Sequence, residues 1–248
     1  MKHIIRRSLN LSVILLKEQI KEPTALFWAI LSPAAFYYLI NYTKGLSLTS
    51  FNASYIESTS WFYAYISSFV ALFGLSFYLI GRRESGFVRS FIYSNEAKLI
   101  FLSGQLLAYS CLSFLYCSIF YCLTKLPFGD LQIEELLVIG GRFYLSFLLF
   151  SIPGLLISLI PITFQSAGTL YSITSFTMLI LAVFGGTNVV SSSSNIVYML
   201  NPLYLGKSLI SQGFSENITL IILTLLMTAT FFYVTYRYFR INPIWSRY

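Results

Sequence analysis

The chain has 248 residues, of which 56% are hydrophobic and 10% are charged. An average soluble domain carries about 25% charged residues, and a soluble core of this composition would leave large apolar patches facing water. The composition therefore excludes a soluble enzyme, a disordered chain and a coiled coil. It indicates an all-α integral membrane protein. The net charge of +7 matters less than where the positive residues stand along the chain.

Residues 1–22 form a segment of mixed character. Charged residues are mixed with aliphatic ones as far as Ile20, and Pro23 opposes the continuation of a helix beyond this point. The apolar run is too short to cross a bilayer. We expect an amphipathic helix that lies on the membrane surface, where its basic residues meet anionic lipid. A frayed polar tail is the alternative.

Long uncharged runs set the number of membrane crossings. A helix needs about 20 apolar residues to cross a hydrocarbon core about 30 Å thick. Charged residues are absent from five runs, which are Pro23–Thr43, 58–81, 99–124, 143–206 and 217–236. The fourth run is long enough for two crossings. The sequence therefore predicts six transmembrane helices, near 25–42, 60–81, 99–124, 143–163, 168–186 and 217–238.

The Lys and Arg residues indicate the orientation. Six crossings place both termini on one side of the membrane, and most of the 16 Lys and Arg residues fall on that side. They form three clusters, in 1–22, in 82–98 and after the last predicted helix. Because cytoplasmic loops carry the excess of positive residues, both termini of this multi-pass protein are expected in the cytoplasm.

Residues 187–213 are too polar to cross a membrane and too apolar for a free loop. They contain four consecutive serines at 191–194, followed by Asn201 and Pro202. A seventh crossing would place the C-terminal arginines outside, against the charge rule. We expect a re-entrant or interfacial element on the outer face, before the last helix, with its backbone buried in protein or lining a cavity. An ordinary outer loop is the alternative.

The sequence contains no catalytic or metal-binding pattern. Its single histidine is His3, and its carboxylates lie at or beyond the predicted helix ends, so an intramembrane protease or a proton relay lacks its residues. Gly206-Lys207-Ser208 is only part of a phosphate loop, because Asn201 stands where the first glycine is required. We expect no enzyme activity, no bound cofactor or metal, and no nucleic acid partner. Gln105 is a candidate pathway residue, although polar side chains in membrane helices most often bond to neighbouring helices.

The loop after the second predicted helix is the most informative part of the chain. It reads Gly81-Arg82-Arg83-Glu84-Ser85-Gly86-Phe87-Val88-Arg89. A basic and acidic helix end, then Glu-x-Gly and an amphipathic turn, resembles the first cytoplasmic loop of ABC-2 type transporter permeases. Lys21-Glu22-Pro23 resembles the start of that family's first helix, and Asn201-Pro202-Leu203-Tyr204 resembles its outer segment. The chain departs from the family in that Gly185-Gly186 is not followed by a nearby proline.

The resemblance implies a partner and a role for each of these residues. In this family two permeases pair, as a homodimer or a heterodimer, in the bacterial cell membrane, and cytoplasmic ATPases that hold ATP and magnesium bind beneath them. Each ATPase grips a coupling helix in the first cytoplasmic loop, here 82–98, assisted by the N-terminal surface helix. Glu84 and Gly86 would then belong to the coupling turn. The side chains that would meet the ATPase or lipid head groups are Arg82, Arg83 and Arg89.

The whole chain, 1–248, is therefore expected to be one transmembrane domain, the permease subunit of an ATP-driven exporter. An aromatic-rich interior without intramembrane charge favours a drug-like or peptide amphiphile as cargo. An ATP-independent six-helix channel or carrier is one alternative; a carrier would be expected to show intramembrane charges or inverted repeats. A membrane scaffold subunit is another, for which 82–98 would be an ordinary solvated loop. For Arg82 and Arg83, plain retention of positive charge on the inner side is also an explanation.

Overall fold

The structure is a computed structural model that describes residues 2–21, 23–43, 55–186 and 201–244. Within these ranges the regular elements are all helical. The α-helices are α1 (Lys2–Ile20), α2 (Pro23–Thr43), α3 (Tyr55–Phe69), α4 (Phe77–Glu84), α5 (Phe87–Phe91), α6 (Asn95–Lys125), α7 (Ile133–Leu159), α8 (Phe164–Gly186), α9 (Pro202–Gln212) and α10 (Ile218–Tyr238). A π-helical segment, Val70–Ser76, joins α3 to α4, and a short 3₁₀ helix, Leu126–Phe128, follows α6.

Within the described ranges, four helices are long and apolar enough to cross a membrane. They are the continuous helix Tyr55–Glu84, Asn95–Lys125, Ile133–Leu159 and Ile218–Tyr238. They coincide with four of the six predicted crossings, and they confirm the prediction of a helical protein of membrane type. The other two predicted crossings fall on α2 and α8. The described apolar stretch of α2 is shorter, Phe27–Ile40, so crossings by α2 and α8 stay predictions.

Local chemistry sets several helix ends. The Ser94 hydroxyl accepts a hydrogen bond from the Ala97 backbone N–H at 3.1 Å and so caps the start of α6. Gly86 lies between α4 and α5 with φ of 78°, a left-handed conformation that glycine adopts at little cost. Helix α7 ends because Ile160, which precedes Pro161, takes up an extended conformation.

The core of the bundle lies between α3, the π segment, α6 and α7. Its centre is aromatic: the ring of Tyr63 meets the rings of Phe120 and Phe143 edge to face, at centroid distances of 4.9 Å and 6.1 Å. Helix α1 packs along α6, α10 packs along α7, and α9 packs against α3 and α7. Arg83 of α4 contacts the last turn of α7 at Ser158, whereas α9 contacts the first half of α7 at Arg142. We call these two ends of the bundle the α5 end and the α9 end.

The predicted terminal and outer elements are described in part. Helix α1 occupies most of 1–22 and leaves Ile5, Leu9, Val13 and Ile14 exposed, as an amphipathic helix against a membrane requires. Of the predicted outer element, 201–213 contains α9, whereas 187–200, with the serines at 191–194, lies outside the described residues.

Candidate functional site

The segment 82–98, expected to hold a coupling helix, includes the end of α4, the turn at Gly86, the short helix α5 and the start of α6. The apolar face of this segment packs against the bundle. Val88 and Ile92 are buried, and the rings of Phe87 and Phe91 pack on the ring of Phe101 in α6, at 6.4 Å and 6.1 Å.

The opposite face of the segment is open. Arg89 and Ser90 are exposed, and the exposed fraction of Tyr93 is 85%. The segment therefore presents a polar, aromatic surface on a short helix that its apolar face holds in place.

Arg83 lies inside the protein. Its side chain is fully buried, and its guanidinium donates hydrogen bonds to three backbone carbonyls, those of Ser158 at 3.1 Å, Ile160 at 3.2 Å and Ile162 at 2.7 Å. These carbonyls belong to the last turn of α7 and the turn that follows it. The C-terminal carbonyls of a helix lack partners within the helix and attract a cation. Arg83 thus caps α7 and has no exposed surface from which to meet an ATPase or a lipid head group.

Glu84 neutralises this buried cation. Its carboxylate accepts a hydrogen bond from Nε of Arg83 at 3.0 Å, and the exposed fraction of the Glu84 side chain is 8%. The backbone N–H of Ile244, in the C-terminal segment, also lies 3.4 Å from this carboxylate. A buried charge is tolerated only when it is paired and hydrogen-bonded. The pair therefore joins α4 to the α7–α8 turn and to the chain end.

Arg82 makes different contacts because consecutive helical side chains point about 100° apart. Its guanidinium pairs with the carboxylate of Glu18 in α1 and contacts the hydroxyl of Tyr78. It also lies over the rings of Tyr78 and Phe87, at 4.8 Å and 4.5 Å from their centroids. The exposed fractions of the Arg82 and Glu18 side chains are 17% and 45%. Arg82 therefore links α1, α4 and α5 at a partly open position.

A cavity of about 810 Å³ lies beside these residues. Its walls come from α1, the continuous helix Tyr55–Glu84 and α6, with Phe164 at the start of α8. A Cβ atom at Gly74 would lie 2.5 Å from Cε1 of Tyr109, so glycine is needed for this approach of α6 to the π segment. We call this space the α1–α6 cavity. No pattern in the sequence indicated this cavity.

The other candidate residues, Gln105, Asn201 and Pro202, lie in α6 and at the start of α9. Gln105 is fully buried in α6, and its amide has no hydrogen-bond partner among the described residues. Asn201 donates from Nδ2 to the carbonyl of Met178 in α8 at 2.9 Å, and its Oδ1 accepts from the N–H of Leu203 at 3.2 Å. With Pro202 in the first turn, Asn201 caps α9. Asn201 therefore both starts α9 and ties it to α8.

An ion pair at the α9 end was not anticipated from the sequence. Nζ of Lys125, at the end of α6, lies 2.5 Å from Oε2 of Glu135 in the first turn of α7. The hydroxyl of Tyr121 donates to the same carboxylate at 2.9 Å, and Lys125 lies over the ring of Tyr55 at 4.8 Å. These contacts fix the α6–α7 connection. Within the described ranges, no group of His, Cys, Asp and Glu residues could hold a metal ion.

Comparison with known proteins places the chain in a family. No family model matches the sequence, and no solved structure matches it. Protein McbE of Escherichia coli is 30% identical to the chain over 198 residues, which are 78% of this chain and 79% of that protein. The likeness thus runs over most of both sequences. The chain belongs to the family of Protein McbE.

Proposed function

We propose that the chain is the permease subunit of an ATP-driven exporter of the ABC-2 type, and that a separate ATPase subunit binds at α5. The observation that carries this proposal is the two-faced segment around α5. Its apolar face is fixed on α6 through Phe87 and Phe91, and its outer face exposes Arg89 and Tyr93. A short helix held rigidly in this way suits contact with a soluble partner. Its aromatic and arginine side chains are of the kinds that supply most binding energy at protein interfaces.

The proposal includes the finer topology. Helices α2 and α8 complete six crossings, the α5 end is cytoplasmic with both termini, and α1 lies along the membrane surface. Helix α9 is part of a re-entrant outer element. Two contacts support this last point: Asn201 bonds to α8, and Arg142 in α7 donates to the carbonyl of Ile210 at 2.9 Å. Backbone at membrane depth needs such attachment to protein.

In this proposal, force on α5 is transmitted through α4 to the α7–α8 turn. When the ATPases close on ATP and magnesium, they displace α5 and the end of α4. The buried pair of Arg83 and Glu84 carries this displacement to the α7–α8 turn, since a buried, fully bonded ion pair does not open without a large cost. Two such permeases enclose the pathway, and the cargo is a drug-like or peptide amphiphile.

Purification from native host membranes in mild detergent tests the proposal directly. We expect a soluble ATPase with a phosphate-loop lysine to co-purify in stoichiometric amount. Purification of the chain alone, or with membrane proteins only, after mild crosslinking as well, would contradict the proposal and favour an ATP-independent carrier or a scaffold.

A pair of variants tests the position of the contact. Tyr93→Ala removes an exposed ring from the α5 segment, whereas Tyr233→Ala removes a ring with an exposed fraction of 65% from α10. Loss of an interface anchor costs at least tenfold in affinity. We expect Tyr93→Ala to lower ATPase recovery about tenfold and Tyr233→Ala to leave it unchanged. Equal recovery from both variants would place the contact elsewhere.

A further inference from the structure

The α1–α6 cavity has the size and lining of a ligand site. Pockets that bury a small organic ligand measure about 300–1,000 Å³, and this one measures about 810 Å³. Its interior is apolar and largely aromatic, lined by Phe69, Phe73, Phe77, Tyr109, Leu112 and Tyr116. Part of the wall is the π-helical segment, a type of irregularity that is frequent at functional sites.

The charged side chains that line the cavity carry both signs; they are Arg82, Glu18 and Glu84, and Glu84 is bonded to Arg83. Glu18 and Arg82 lie side by side and are partly exposed, and we call this part of the lining the rim, or mouth, of the cavity. Solvent reaches Glu18, whose side chain is 45% exposed, and screening weakens the pair on that side. A ligand with its own charges can therefore take the place of each partner. Gln19 also lines the cavity, and its Nε2 is buried with no hydrogen-bond partner among the described residues. The rim thus offers a cation, an anion and an unused donor.

This arrangement matches a lipid more closely than a wholly apolar molecule. The bilayer is itself apolar, so moving acyl chains from bilayer to cavity gains little, and selection must come from the head group. A phosphate complements Arg82 and Gln19, and an ammonium complements Glu18. Helix α1, which forms one wall, also exposes apolar side chains such as Leu9 and Val13, so the cavity lies beside a membrane-facing surface.

We propose that the α1–α6 cavity binds one zwitterionic phospholipid from the leaflet around the α5 end. Its acyl chains lie among the rings of the continuous helix and α6, and its head group lies at Arg82 and Glu18. The proposal concerns lipid binding alone and does not depend on transport or on an ATPase.

The test uses the full chain reconstituted in bilayers that contain a trace of phosphatidylethanolamine with a photoreactive group in one acyl chain. After illumination, the labelled residues are mapped by peptide mass spectrometry. We expect labelling to concentrate on the cavity face of α6, at Tyr109, Leu112 and Tyr116. Unlabelled phosphatidylethanolamine should displace the probe at least tenfold more effectively than anionic phosphatidylglycerol. Labelling spread evenly over the bilayer-facing surface would overturn the proposal, and so would equal displacement by the two lipids.

Two variant pairs separate the site from general lipid contact. Leu112→Trp fills the cavity, whereas Leu115→Trp adds the same bulk to a residue of α6 with an exposed fraction of 37%. We expect labelling at Tyr109 and Tyr116 to fall about tenfold in the first variant only. Equal labelling in both variants would overturn the proposal.

The second pair of variants tests the contact with the lipid head group. Arg82→Ala should abolish the preference for the zwitterionic lipid while labelling by the acyl chain persists, and Lys17→Ala, at an exposed position of α1, should keep the preference. A preference that survives in Arg82→Ala would overturn the head-group assignment.

Discussion

Replacement of Arg83 by alanine is the sharpest test of how the α5 end is held together. The side chain is fully buried, and it serves both as the partner of Glu84 and as the donor to the carbonyls that end α7. Its removal leaves the Glu84 carboxylate, with an exposed fraction of 8%, without the Arg83 guanidinium. The same change leaves the Ser158 carbonyl without this donor.

The expected loss of stability follows from these contacts. Breaking a buried pair by removing one partner costs about 3–5 kcal/mol, because the remaining charge is uncompensated. Hydrogen bonds to charged groups contribute about 1.5–3 kcal/mol each, but neighbouring effects are not additive. We therefore expect Arg83→Ala to lower the free energy of unfolding by about 4 kcal/mol. The double variant Arg83→Met/Glu84→Gln should lose at least about 1 kcal/mol less, since it removes both charges of the buried pair.

Unfolding of the purified chain in mixed micelles, by titration with a denaturing detergent and circular dichroism, measures this quantity. Arg82→Ala is the matched control, since it removes an adjacent arginine whose partner Glu18 is 45% exposed. Its cost should be smaller, about 1–2 kcal/mol, from a partly exposed ion pair and the contacts with the rings of Tyr78 and Phe87. Equal losses for the two arginines would refute the reasoning, because they would mean that burial does not distinguish them.

Two further substitutions probe other contacts. In Gly154→Ala the new Cβ would lie 2.2 Å from Oγ of Ser76 and 3.1 Å from its Cβ, so the Ser76 side chain or α7 must shift, at a cost of about 1–3 kcal/mol. Gly140→Ala, whose Cβ would have ordinary contacts at 3.4 Å, should be nearly neutral in the same titration. Asn201→Ala removes the cap of α9 and the bond to Met178, and it should lower the free energy of unfolding by about 1–2 kcal/mol. Proteolysis at α9 should also become faster, whereas Asn201→Asp should keep the cap.

Charge gaps located the four helices that are long and apolar enough to cross a membrane, but not the lengths of these helices. The gap 58–81 lies inside the helix Tyr55–Glu84, and 99–124 lies inside Asn95–Lys125. Charged residues mark where the apolar interior ends, whereas backbone hydrogen bonding continues past that depth. Helix α7 shows the larger error, because the predicted 143–163 begins ten residues after Ile133 and passes its last residue, Leu159. Arg142 ends the uncharged run, so the predicted crossing begins only after this residue. In the structure Arg142 lies within α7, and its guanidinium bonds to the Ile210 carbonyl.

The candidate site shows what a sequence pattern leaves out. Arg82 and Arg83 are neighbours of the same type, and only the packing of α4 decides which one faces the bundle. The π segment Val70–Ser76 contains no proline, and its one glycine, Gly74, does not by itself distinguish the segment from an ordinary apolar helix. The α1–α6 cavity depends on that segment and on the approach of Tyr109 to Gly74. Each of these features comes from contacts between distant parts of the chain, which no local pattern encodes.

Arg82 and Arg83 attach α4 to different neighbours at the α5 end, and the two contacts differ in burial. Arg83 joins α4 to the α7–α8 turn through buried bonds, while Arg82 joins α4 to α1 through a partly exposed pair. If an ATPase displaces α5 as proposed, we expect α4 and the α7–α8 turn to move together and α1 to separate from them at the partly exposed contact. That contact is the rim of the α1–α6 cavity. If both proposals hold, lipid labelling at Leu112 should change when the ATPase is trapped with nucleotide, because the same displacement opens the mouth at Glu18.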